Sequence, residues 1–208
     1  MIGSVSMQSI ENKVISRIYG RGRGWAFTEA DFSSDFKRTS IDWALSNLVK
    51  TNKIRRVCRG VYDYPKYSEF LKETLSPDFD QVAQALARKF NWRIQASGDA
   101  ALNLLGLSTQ VPARIVYLTD GPSRSYQVGQ SELCFKKEAL KNIGFKHLES
   151  GLIVHALKSL GQEHIDDAVI EKIRQKIDSK KHKQIMRDVS SVTGWVKEAI
   201  WKICRDVN

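Results

Sequence analysis

The feature that most constrains this chain is a change of period near residue 52. From Thr39 to Lys50 the apolar residues keep helical spacing, and at about 100° per residue Ile41, Ala44, Leu45, Leu48 and Val49 share one face. The other face carries Thr39, Trp43, Ser46, Asn47 and Lys50. Beyond Asn52 the pattern is extended: Lys53 to Cys58, a tight turn at Arg59-Gly60, then Val61 to Tyr64, closed by Pro65. A helix followed by a hairpin is the expected result.

Two helices are expected upstream. Ile10, Val14, Ile15 and Ile18 recur at i, i+4, i+5 and i+8, which predicts a helix from near Ser9 to Gly20. Thr28 followed by Asp31 has the form of an N-cap with an acidic first turn, and Phe32 and Phe36 give a second, short helix its apolar stripe. Three helices and then a two-stranded ribbon is the order of a winged helix-turn-helix, whose third helix enters the major groove while the ribbon lies along the backbone.

Charge points the same way. The 33 Lys and Arg outnumber the 23 Asp and Glu, for a net charge of +10, and the pI near 9.6 suits an anionic partner. Residues 1 to 65 hold 11 basic and 6 acidic side chains, residues 66 to 145 hold 10 and 8, and the remainder 12 and 9, so half of the excess lies in the first third. Lys50, Lys53, Arg55, Arg56 and Arg59 are therefore candidate phosphate contacts. Ser46 and Asn47 offer hydrogen bonds to base edges, Trp43 offers its apolar body to a thymine methyl or a sugar, and Thr39 shares their face. Arg21 and Arg23, in the connection Gly20-Arg21-Gly22-Arg23-Gly24, are candidate backbone contacts. The alternative is that Trp43 packs beneath another part of the chain and the cations form an ordinary solvated surface.

Residues 66 to 80, bracketed by Pro65 and Pro77, read as a connector carrying a short helix. A boundary near residue 75 then separates residues 1–75, a winged helix-turn-helix, from residues 76–208. The second part is expected to contain helices over 81–90 and 99–105, the latter capped by Ser97. Strands are expected over 92–95, 114–118, 126–128 and 132–136. From Ser150 the spacing is helical again, through Leu152, Val154 and Leu157, then Ile165, Val169 and Ile173, then Ile185 and Val189, then Trp195, Ala199 and Ile203. The fold class expected is α+β: an N-terminal winged helix-turn-helix followed by a mixed α/β domain ending in a group of four helices.

Few signatures of catalysis are present. Cys58, Cys134 and Cys204 lie far apart with no CxxC pair, which suits neither a disulfide framework nor a thiolate zinc site and fits a reducing compartment. His147, His155, His164 and His182 lack metal-ligand spacing, and no Walker or GxSxG sequence occurs. The glycine run at 20–24 lacks GxGxxG spacing and follows no strand. Leu118-Thr119-Asp120-Gly121-Pro122-Ser123-Arg124 is the most enzyme-like stretch, although Asp-Gly-Pro is also good turn chemistry. No leader-like N-terminus and no apolar run of membrane-spanning length is seen, so a cytoplasmic protein is expected, with no cofactor, no metal and no catalytic residue.

Several segments resemble the AbiEi-type antitoxin and transcriptional regulator family of bacterial type IV toxin–antitoxin systems. These are Tyr19-Gly20-Arg21-Gly22-Arg23-Gly24-Trp25, Ala44-Leu45-Ser46-Asn47-Leu48-Val49, the hairpin from Ile54 to Pro65, the segment from Leu105 to Ala113, and Val116 to Arg124. The resemblance covers roughly residues 10 to 200. It implies a winged-helix domain that represses its own operon through operator DNA, and a C-terminal domain that antagonises a nucleotidyltransferase-like toxin. It implies no catalytic residue. Three functions therefore stand side by side: a DNA-binding repressor and antitoxin, an enzyme acting on nucleic acid or nucleotides around Asp120 and Arg124, and a protein-interaction module with a basic surface.

Overall fold

The apolar stripe through Val14 and Ile18 forms the first helix, α1 (Ile2–Arg21), in a computed structural model that describes residues 2–110, 112–139, 145–192 and 194–205. Val111, within the segment from Leu105 to Ala113, lies outside the described residues. The chain divides into two units, Met1–Trp92 with Tyr126–Glu132 and Arg93–Ser125 with Leu133–Asn208. The sequence reading draws its boundary near residue 75.

In the first unit α1 leads to β1 (Ala26–Phe27), a 3-10 turn (Glu29–Phe32), α2 (Arg38–Lys50), β2 (Arg55–Cys58) and β3 (Val61–Asp63). A second hairpin, β4 (Tyr67–Ser68) with β5 (Glu73–Thr74), and α3 (Phe79–Phe90) follow. The three-stranded sheet has the order β1-β3-β2, antiparallel throughout, with a shift of register between Arg56 and Cys58. Beneath it Val14, Ile18, Phe27, Phe32, Ile41, Ala44, Leu45, Leu48 and Ile54 make one buried cluster. The inward residues of α2 are the ones its spacing predicts, except that Val49 is half-buried.

Two expectations need correction here. The second helix is a four-residue 3-10 turn. Thr28 and Asp31 do form a reciprocal cap, with Asp31 Oδ2 accepting the Thr28 N–H at 2.9 Å, but Ser33 Oγ then donates to the Ala30 carbonyl at 2.9 Å. Side chains that satisfy the local backbone offer it an alternative to helix, and the turn stops. The connector after Pro65 holds a hairpin rather than a short helix: Tyr67 faces Thr74 and Ser68 faces Glu73. Ser68 Oγ accepts the Leu71 N–H at 3.1 Å, and Lys72 adopts the left-handed region at φ 53°.

Gly24 shows why the glycine run is spaced as it is. At φ +90° a Cβ here would lie 2.3 Å from Lys66 Cε, and the Gly24 N–H donates to the Tyr64 carbonyl. The run ties the end of α1 to the end of β3.

The second unit opens with β6 (Ile94–Ala96), α4 (Asp99–Leu104) and β7 (Arg114–Thr119). The hairpin of β8 (Arg124–Val128) and β9 (Ser131–Lys137), whose residues Tyr126–Glu132 are counted with the first unit, completes a four-stranded sheet in the order β6-β7-β9-β8. Ile94, Gln95 and Ala96 pair antiparallel with Thr119, Leu118 and Tyr117. Ser97 does not cap α4; the cap position is Gly98 at φ 56°, with no side-chain hydrogen bond. Four helices follow among the described residues, as the spacing predicts: α5 (Leu148–Leu160), α6 (Asp167–Lys176), α7 (His182–Asp188) and α8 (Gly194–Cys204). Ile153, Leu157, Ile173, Ile185, Ile200 and Ile203 are fully buried among them. Helices and strands in this sequence order make the fold α+β. Among the described residues no helix is long and apolar enough to cross a membrane.

Asp188 holds the entry to α5. Its two carboxylate oxygens accept the Lys146 and His147 N–H groups, each at 3.0 Å. Burial pushes its pKa upward, yet the two backbone donors, with Ser150 and His147 adding to them, leave it below the ordinary aspartate value. A carboxyl group whose pKa is depressed on folding contributes stability above its unfolded pKa and loses it as pH falls through the folded one. Asp188→Asn should therefore lower stability by about 1–2 kcal/mol at neutral pH, with the gap to wild type closing below about pH 4. Denaturant titrations at both pH values measure it; an equal gap at both would refute the carboxylate's role.

Candidate nucleic-acid interface

The outward face of α2 is open. Thr39, Trp43, Ser46 and Lys50 are exposed, Trp43 to 37%. Helix α2 begins at Arg38 after Lys37, which supplies no side-chain cap. Asn47 differs from its neighbours, because its Nδ2 donates to Glu11 Oε2 at 2.5 Å. Glu11 on α1 is buried at 3%, with Lys53 Nζ 4.0 Å from its other oxygen. This bond directs Asn47 inward, against the base-reading role expected of it, and clamps the end of α2 to α1.

The hairpin divides its cations between two tasks. Arg55 lies opposite Asp63 in the register, and its Nε and Nη2 donate to the two Asp63 oxygens at 3.0 and 2.6 Å. Its Nη1 donates to the Leu75 carbonyl at 3.0 Å. With every arm of its guanidinium engaged, Arg55 is a structural cation and not the phosphate contact expected. Arg56 and Arg59 are exposed and, like Lys50, have no hydrogen-bond or ion-pair partner among the described residues. Arg23 donates to the Pro65 carbonyl at 2.9 Å and lies over the Tyr64 ring at 4.7 Å. Arg21 lies 5.7 Å from the Trp25 ring centre. Both cations remain exposed, but each is anchored to an aromatic side chain.

Electrostatic influence joins α2 to the ribbon. Burial raises the Tyr62 pKa, and the Arg56 cation from β2 and the Asp42 carboxylate from α2 both act on the same hydroxyl. Burial likewise raises the Cys58 thiol, against the pull of Arg56 and Lys89. Glu29 is pushed up by burial and carried below its ordinary value by a Lys89 hydrogen bond and by the fields of Lys89 and Arg38. Arg38, Arg56 and Lys89 therefore belong to one charged neighbourhood on α2, β2 and α3. Sequence reading missed Arg38 and Lys89: Arg38 sits just ahead of the face it scanned, and Lys89 lies beyond the boundary drawn at 75. The acidic turn Glu29-Ala30-Asp31 was the available signal, since Lys89 Nζ meets Glu29 Oε1 at 2.9 Å and Arg88 Nε meets Asp31 Oδ1 at 2.7 Å.

In the second unit the enzyme-like stretch satisfies its own turn. Asp120 Oδ1 accepts the Arg93 N–H at 2.8 Å, Thr119 Oγ1 accepts the Gly121 N–H at 3.0 Å, and Ser123 Oγ accepts the Lys137 N–H at 3.0 Å. Among the described residues no three His, Cys, Asp or Glu side chains converge in a metal-binding group.

No curated protein matches the chain. Residues 13–185 match a family of unknown function, DUF6088, and the chain belongs to that family.

Proposed function

We propose that the first unit is a winged helix-turn-helix that binds duplex DNA, and that the chain is a transcriptional repressor. The observation carrying this reading is that Lys50 on α2 and Arg56 and Arg59 on the β2–β3 hairpin are exposed, and their side chains have no hydrogen-bond or ion-pair partner among the described residues. The reading is further supported by the sheet of order β1-β3-β2 and by α2, whose Leu45 and Leu48 share a buried cluster with Phe27 of β1; in a winged helix-turn-helix a helix enters the groove and a ribbon lies along the phosphates, roles proposed here for α2 and the β2–β3 hairpin. Trp43, Ser46 and Thr39 would then face base edges or sugars, and Arg38 joins the phosphate contacts. The fold is proposed to carry no enzymatic activity of its own.

The experiment titrates full-length chain against duplex DNA over a salt series. Arg56→Ala and Arg59→Ala should each weaken binding to every sequence and reduce the salt slope by about one. Ser46→Ala should act mainly on a preferred sequence. Wild-type binding that is absent at low salt, or slopes unchanged by both arginine variants, would remove DNA from this face.

The antitoxin role rests on the sequence resemblance and is proposed for the second unit, acting on a nucleotidyltransferase-like toxin. Co-expression of such a toxin, encoded beside this gene, with the full chain and with its Arg56→Ala, Arg59→Ala double variant separates the roles. Growth rescued by both proteins assigns neutralisation to a surface other than α2 and the ribbon. Growth rescued by neither discards the role.

A further inference from the structure

In the second unit, Lys146, His147, Gln184, Arg187, Asp188 and Ser190 line an open cavity of about 420 Å³. It lies between the start of α5 and the end of α7. Its volume falls in the range of about 300–1,000 Å³ in which small-molecule sites are found. The side chains of Lys146, Gln184, Arg187 and Ser190 have no hydrogen-bond or ion-pair partner among the described residues. The carboxylates nearby are already engaged. Both Asp188 oxygens accept backbone N–H groups, from Lys146 and His147, and Glu149 in the first turn of α5 accepts a hydrogen bond from Lys181 Nζ. Two cations therefore line the cavity with no described carboxylate bonded to them.

We propose that this cavity binds the phosphate group of a small molecule, either free phosphate or a phosphomonoester. Arg187 supplies the planar fork that grips two phosphate oxygens, and Lys146 supplies a second fixed charge. Two cations match the charge of about −2 that a phosphomonoester carries at neutral pH. A carboxylate, with one charge, would leave one cation of the pair unmatched. His147, Gln184 and Ser190 can each donate a further hydrogen bond to the remaining oxygens. Helix α5, thirteen residues long, opens beside the cavity, and its N-cap His147 makes no side-chain cap hydrogen bond, so the positive end of the helix adds to the field there. The shape selects a small ligand. A nucleic-acid backbone is met by cations spaced along a track, whereas these line one concave cavity.

The test uses inorganic phosphate and adenosine monophosphate as probes, so it stands or falls separately from the DNA-binding reading. Titration calorimetry of the full chain at constant ionic strength should show saturable binding of at least one probe, half-complete at about 1 mM or below. Arg187→Ala and Lys146→Ala should each weaken it at least about tenfold, with circular dichroism unchanged because neither side chain is bonded within the described fold. Lys197→Ala, which removes the same charge from α8 outside the cavity, should leave the affinity as it is. Affinity for adenosine monophosphate equal to or above that for phosphate identifies a phosphomonoester as the ligand, and a weaker affinity identifies the free anion. No saturable binding of either probe, affinity unchanged in the Arg187 and Lys146 variants, or affinity lost equally in Lys197→Ala would each overturn the proposal. So would duplex binding that Arg187→Ala weakens as much as Arg56→Ala does, which would give these cations to a nucleic-acid backbone.

Discussion

Phe27→Ala is expected to destabilise the first unit by about 3–5 kcal/mol, as removal of a fully buried aromatic ring does. The side chain is wholly enclosed. Its ring lies 4.8 Å from that of Trp25 and 5.7 Å from that of Phe32, edge-on to the latter, and it stacks toward Tyr62 at 6.2 Å. Phe27 also supplies half of β1, where its backbone pairs with Tyr62. The truncation therefore opens a cavity between sheet and helices and loosens the strand that holds β3 from the side opposite β2. A typical domain has only about 5–15 kcal/mol in reserve, so the first unit, and with it the proposed DNA binding, should fail at temperatures the wild type tolerates. Denaturant unfolding monitored by tryptophan fluorescence gives the loss directly; a loss under about 1 kcal/mol would show that Phe27 does not anchor this core.

Arg55→Ala should cost about 3 kcal/mol. Asp63 is only 3% exposed and Arg55 31%, so truncation strands a buried carboxylate, the circumstance in which breaking an ion pair is most harmful. The partial exposure of Arg55 lets some water reach the orphan and keeps the figure at the lower end of the measured range for buried pairs, about 3–5 kcal/mol. Replacing both partners, Arg55→Met with Asp63→Leu, should recover most of the loss, because no charge is then left buried. The salt dependence of the proposed DNA binding separates this role from the phosphate contact proposed for Arg56. Where the variant is folded, Arg55→Ala should leave the slope unchanged, whereas a slope reduced by one with stability intact would return Arg55 to the phosphates.

Those two residues also mark the limit of what the sequence discloses. The helix α2 and the turn at Arg59-Gly60 are legible because each repeats a short-range rule: apolar spacing in one, and a glycine at φ +75° in the other. Strand β1 is two residues long and β4 and β5 are no longer, too short for an alternating pattern to show. The division of labour between Arg55 and Arg56 depends on cross-strand register, which a one-residue slip would reverse. Asn47 looked available because its partner, Glu11, lies on another helix 36 positions earlier. The tie of α3 to β1 within the first unit includes Arg88, whose Nη2 donates to the Ala26 carbonyl at 2.8 Å across 62 positions, and no local pattern announces such a bond.

The discontinuous first unit has a consequence for how the protein is made. Residues Tyr126–Glu132 belong with Met1–Trp92, so the ribosome must add the forty residues from Arg93 to Glu132 before that unit has all its parts. At about 5–20 residues per second this takes about 2–8 s, long compared with the microseconds in which a hairpin forms. Within that interval the helices and the β1-β3-β2 sheet can assemble while their last segment is still being synthesised. No single cut in the gene returns either unit whole.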